Sequence, residues 1–172
     1  MRKFSNGLKL VAVAGLIALA GCTTKPEASN EAPPPQTMTG ESSTQSNIVP
    51  GSAEDLRVNV GDTVHFAYDK YDIQDEDRAI LQRQAAWLGK YPSVRVSVEG
   101  HCDERGTREY NLALGARRAN AVKEYLVSLG VSSARVDTIS YGKERPICTE
   151  SDESCYSQNR RGVTTITSGA SS

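Results

Sequence analysis

Apolar residues at every second position put Val94, Val96 and Val98 on one face of a strand that ends near Glu99. Gly100 then lets the backbone turn, and Gly106 punctuates a charged loop, Gly100-His-Cys-Asp-Glu-Arg-Gly106. From about Arg108 the period lengthens. Leu112, Ala116, Ala119, Val122 and Leu126 recur three or four residues apart, which predicts a helix to about Leu129, closed by Gly130, with that stripe buried. Asn111, Leu114 and Arg118 have the same spacings on a second face, which looks back towards His101, Asp103 and Arg105. A strand end, a charged loop and a helix start are therefore expected to converge on one spot.

The flanking pattern completes the fold. Val60 to Tyr68 alternates weakly, with Val64 and Phe66 on one side, and reads as a first strand. Asp75-Glu76-Asp77 place acids at a helix start, where the dipole favours them. Leu81, Ala85 and Leu88 give that helix its stripe, and Pro92 stops it. Val136 to Tyr141 is a third strand, followed by a polar loop holding Cys148 and Cys155, then a fourth strand from Val163 to Thr167. The order predicts an α+β domain of βαβαββ type, two main helices on one face of a small four-stranded mixed sheet.

The first third of the chain has a different character. Residues 1–21 carry Arg2 and Lys3, an apolar run from Leu10 to Ala20, and small residues at the close, the pattern of a secretory signal. That run is too short to span a bilayer, which takes about 20 apolar residues. Leu19-Ala20-Gly21-Cys22 resembles the lipobox of bacterial lipoproteins, and the resemblance implies cleavage before Cys22 and acylation of that residue. The absence of Asp at the position after Cys22 points, by the enteric sorting rule, to the outer membrane. Residues 22–55 are rich in Ser, Thr, Pro, Glu and Gln, too polar to offset the entropy of ordering. They read as a tether of roughly 30 Å as a coil and about 110 Å when stretched. The domain itself is expected over 56–168.

Composition and charge remove some function classes. The formal net charge is −1, and loss of Arg2, Lys3 and Lys9 with residues 1–21 would take it to −4. With no basic run and 6% aromatic residues, a nucleic-acid partner is not expected. His101-Cys102-Asp103 superficially offers a nucleophile, a base and an acid, but alternation in an extended chain turns Cys102 away from the other two. No enzyme activity is expected. His65, His101, Cys102, Cys148 and Cys155 lack metal-site spacing, so neither a metal nor another cofactor is implied. In an exported chain Cys148 and Cys155 can instead close a disulfide around a six-residue polar loop, the alternative being two reduced thiols.

Five blocks in order carry a resemblance: His65-Phe-Ala-Tyr-Asp-Lys-Tyr-Asp-Ile73, Gly100 to Asn111, Leu112 to Val122, Ser140 to Pro146 and Ser157 to Arg161. Together they resemble the OmpA-like peptidoglycan-binding domain, in particular the peptidoglycan-associated lipoproteins of the Tol-Pal system, over roughly residues 60 to 167. The resemblance implies non-covalent binding of the wall's stem peptide at meso-diaminopimelate, whose ammonium and carboxylates need an acid and a base held a few ångströms apart. Asp103 and Arg118 match the two gripping positions, Asp69 a third acidic position, and Arg105, Thr107 and Leu114 neighbouring contacts. From spacing alone, the bland alternative is a solvated acidic loop with Arg118 paired to Asp103 for stability. Arg160 and Arg161 match a further block, with either ligand contact or a structural tie as the role. TolB is implied as a partner, together with a place in membrane constriction at division. The other function class that fits is a wall-anchoring adaptor of a different envelope machine.

Overall fold

The structure is a computed structural model that describes residues 48–171. The expected signal segment, lipidation at Cys22 and the tether up to residue 47 lie outside these residues.

The sheet has four strands in the order β1-β4-β2-β3, formed by Thr63–His65 (β1), Arg95–His101 (β2), Val136–Gly142 (β3) and Arg161–Ser168 (β4). β4 runs antiparallel to both β1 and β2, whereas β2 and β3 are parallel. Parallel neighbours need a crossover, and helix α3 (Arg108–Ser128) provides it. Helix α2 (Asp75–Lys90) lies on the same sheet face. Val64, Val96 and Val98 from the sheet meet Leu81, Leu88, Val122 and Leu126 from the helices in one buried core. The mixed sheet with two main helices is the architecture that the periodicity predicts.

Four local features differ from the expectation. The first strand is shorter, three residues instead of the run from Val60 to Tyr68. Before it, a short helix α1 (Ala53–Asp55) runs into a π-helical turn (Leu56–Val60), closed by the Gly61 amide on the Leu56 carbonyl at 2.9 Å. Residue 56 is thus not the start of the fold. Asp55 is buried and accepts from Trp87 Nε1 at 2.9 Å and from the Gly51 amide at 2.8 Å. Third, the stretch after Cys148 is not simply a loop: Glu153–Asn159 forms helix α4, capped by Asp152, whose carboxylate accepts from the Cys155 amide at 2.9 Å. Finally, the buried stripe of α3 drifts. Ala119, Val122 and Leu126 are core, but towards the helix start Leu114 and Gly115 are buried while Leu112 and Ala116 are only half-buried.

Backbone contact explains the drift. A Cβ on Gly100 would sit 1.9 Å from the Gly115 carbonyl oxygen, and one on Gly115 would sit 2.3 Å from Ser140 Oγ. The helix therefore rests with its backbone directly on β2, and only glycine at both positions allows that approach. This close seating fixes where the first turns of α3 point.

Candidate ligand-binding site

The first turns of α3 overhang the end of β2. Between them lies a cavity of about 150 Å³ lined by Tyr68, Asp69, Cys102, Asp103, Arg105, Gly106, Tyr110, Asn111, Leu114 and Arg118. Of the six residues expected at a ligand site, five line it. Thr107 is the exception. It caps α3, its hydroxyl accepting from the Tyr110 amide at 3.2 Å, and so shapes the loop rather than the cavity wall.

Arg118 is almost wholly buried yet forms no ion pair with Asp103. Its guanidinium donates to the carbonyls of Lys70 (2.8 Å), His101 (2.8 Å) and Ala67 (3.2 Å), beneath the Phe66 ring at 5.1 Å. The structural alternative of an Arg118–Asp103 pair is therefore replaced by a different one. Arg118 staples the loop after β1 to the end of β2 through backbone oxygens. A guanidinium has five N–H donors; three are committed to these carbonyls and a further one faces the Cys102 thiol, which leaves at most one uncommitted. Burial lowers its pKa, with Cys102 and Asp103 acting in the opposite direction.

Asp103 is held by two other arginines. Arg105 donates to it through Nε (3.2 Å), Nη2 (2.6 Å) and its backbone amide (3.1 Å), and Arg160 Nη1 lies at 3.5 Å. Burial pushes the Asp103 carboxyl up, but the hydrogen bonds from Arg105 and Arg160 outweigh it, and the pKa lies below the usual carboxylate value. Asp103 is an anion at neutral pH. Asp69, at φ 57°, tips its carboxylate onto the Tyr110 hydroxyl across the cavity mouth. Asn111 explains itself here: its Nδ2 donates to the carbonyls of Arg105 (2.8 Å) and Thr107 (3.1 Å) and so pins the loop.

The alternation expected of the three adjacent residues does not hold: the chain leaves strand geometry after His101, so Cys102 and Asp103 both line the cavity and it is His101 that turns away. Cys102 is buried with its thiol on the Asn111 carbonyl at 3.4 Å, and burial pushes its pKa up, away from a reactive thiolate. His101 sits on the opposite face of the sheet beside Glu99 (3.5 Å), both ring nitrogens unpartnered. Burial, with Arg161 and Arg145 nearby, lowers its pKa to about 4. Cys148 and Cys155 are joined in a disulfide with Cα atoms 5.2 Å apart.

This arrangement has known counterparts. The OmpA family profile matches residues 65–160, which hold β2, α3 and the whole cavity lining. The chain belongs to the OmpA family. The chain is 50% identical over 95% of its length to the peptidoglycan-associated lipoprotein of Mesorhizobium japonicum, of which 93% is covered. The crystal structure of the peptidoglycan-associated lipoprotein from Burkholderia pseudomallei is 43% identical, with a TM-score of 0.60 over 61% of this chain and 89% of that one. The cell wall anchor of the T6SS from Pseudomonas aeruginosa is similar at 26% identity and a TM-score of 0.54, over 69% of this chain and 94% of that chain.

On this OmpA-family framework, sequence reasoning missed the α4 contribution. Tyr156 and Tyr68 sandwich the Arg105 guanidinium at 4.3 and 4.1 Å, and Glu153 pairs with both Arg160 (2.6 Å) and Arg105 (3.6 Å). The signal was present in Asp152-Glu153, a capping residue followed by an acid in a first helical turn.

Proposed function

We propose that this chain is an outer-membrane lipoprotein whose domain binds the peptidoglycan stem peptide non-covalently and tethers membrane to wall. Its ligand is meso-diaminopimelate, with Asp103 taking the ammonium and Arg118 a carboxylate, while Asp69, Arg105, Thr107 and Leu114 shape or rim the site. The observation that carries this reading is the presence, in the lining of one small cavity, of an ionised Asp103 and a buried arginine that has no carboxylate partner of its own. A zwitterionic amino-acid end presents the complementary charges, and binding of this kind requires no covalent step and no metal. The names of the relatives support the wall as the partner.

The rest of the proposal follows from the sequence. Residues 1–21 act as signal peptide, Cys22 carries the lipid, and the segment from Cys22 to about residue 52 spans from membrane to domain. Two or more acyl chains anchor stably where one does not. Membership of the Tol-Pal system, with TolB as protein partner and roles in envelope integrity and division, completes the reading; co-purification of TolB with the chain tests it.

The decisive test is sedimentation with purified peptidoglycan sacculi, using the full chain beside Asp103→Asn and Arg118→Lys. Wild type should pellet with the wall. Both variants should remain largely in the supernatant, because hydrogen bonds to charged groups contribute roughly 1.5–3 kcal/mol each and lysine lacks the planar fork. Variants that pellet as wild type does would remove the site assignment, and a soluble wild type would remove the tether.

A further inference from the structure

Four charged side chains close a ring beside the cavity. Asp103 meets Arg105 at 2.6 Å and Arg160 at 3.5 Å, while Glu153 meets Arg160 at 2.6 Å and Arg105 at 3.6 Å. Two acids and two guanidiniums alternate, so the ring is neutral, with two short edges and two long ones. Asp103 is saturated within it. A carboxylate offers about four lone-pair directions; here Oδ1 takes the Arg105 amide and Nε, and Oδ2 takes Arg105 Nη2 and Arg160 Nη1. An incoming ammonium therefore has to displace a resident cation.

The two arginines differ in how firmly they are held. Arg160 is 8% exposed and also donates to the Phe66 carbonyl at 2.9 Å. Arg105 is 33% exposed, and its guanidinium carbon lies 4.1 Å from the Tyr68 ring centre and 4.3 Å from that of Tyr156. Glu153 already stands 3.6 Å from Arg105 Nη1, on a helix fixed by its Asp152 cap and by the Cys148–Cys155 disulfide.

We propose that the ring opens by cation exchange: the ligand's ammonium replaces Arg105 on Asp103, and Arg105 moves onto Glu153. Glu153 is then a positioning residue for binding, although it lies outside the cavity. Neutrality is kept throughout, and Arg105 exchanges one acid for another instead of being expelled into water. This selects a ligand whose ammonium reaches Asp103 with an adjacent carboxylate for Arg118, and it rests on the reading of the cavity given above.

A double-mutant cycle on the full chain tests it, with a stem tripeptide carrying meso-diaminopimelate titrated calorimetrically. Glu153→Gln should weaken binding about tenfold when Arg105 is present, the magnitude of one charge-assisted hydrogen bond, and by less than about twofold in Arg105→Ala. Glu153→Asp should restore most of the affinity, and the Arg105 Nε–H resonance should shift on saturation with peptide. Equal losses in both backgrounds, or an unmoved Arg105 resonance, would overturn the exchange. Asp103→Asn separates the two levels. If it binds as wild type does, the cavity reading itself fails; if it loses binding while Glu153→Gln does not, only the ring fails.

Discussion

The two ends of α3 are buried by opposite means. Its C-terminal half sets Ala119, Val122 and Leu126 into hydrocarbon against Val96 and Val98, where any side chain of the right volume serves. Its N-terminal half buries Asn111 and Arg118, whose value depends on the direction of each hydrogen bond. The apolar end gives stability without specifying chemistry. The polar end commits buried donors to backbone oxygens and, in doing so, holds a guanidinium where a ligand can use its remaining donor. Preorganisation of this kind lowers what binding must spend on ordering side chains.

Substitutions at the seam between the two ends should have the largest effect. Gly100→Ala places a methyl against the Gly115 carbonyl, which backbone cannot yield easily, and should cost at least about 3 kcal/mol in urea unfolding. Retained stability would mean that α3 does not rest on β2 as described. Next, Leu126→Ala should cost about 3 kcal/mol while leaving wall sedimentation of the folded protein unchanged, since Leu126 is remote from the cavity lining. Loss of binding at constant fold would erase the distinction between the ends.

A comparable effect, conditional on pH, should come from His101. Its folded pKa of about 4 lies below the usual 6.5, so between these values the unfolded chain binds more protons than the folded one. Stability from this group is complete above about pH 6.5 and falls as pH drops towards 4, by about 3 kcal/mol in total. Asp103, also depressed, adds a loss only at lower pH, below the ordinary carboxylate range. Urea midpoints across pH 4–7 should show the slope in wild type and a flatter line in His101→Gln. The smallest effect belongs to Thr107→Ala, about 1 kcal/mol for a lost cap, read by thermal melting.

Legibility in the sequence followed the same division. Val94, Val96 and Val98 announced their strand, and the two faces of α3 were visible as two interleaved spacings, because apolar burial leaves a periodic trace. The juxtaposition of Asp103, Leu114 and Arg118 followed from those faces. What Arg118 bonds to did not, since backbone carbonyls have no sequence signature. The first helical turns were hidden for a different reason. Ser52 to Asp55 forms a cap, with the Ser52 hydroxyl accepting from the Asp55 amide at 3.1 Å, but it closes a Ser- and Thr-rich tract that reads as tether. Helix α4 buries only Cys155 and Asn159, so it has no apolar stripe to reveal it. Its contribution to the site is electrostatic and depends on the fold bringing residues 103 and 153 together.

The most direct measurement of the central claim is a calorimetric comparison of two stem peptides, one with meso-diaminopimelate and one with lysine at the same position. Lysine keeps the side-chain ammonium and lacks the carboxylate that Arg118 would receive. Binding should be at least about tenfold weaker for the lysine peptide, in line with one or more lost hydrogen bonds to a charged group. Equal affinity for the two peptides would contradict it.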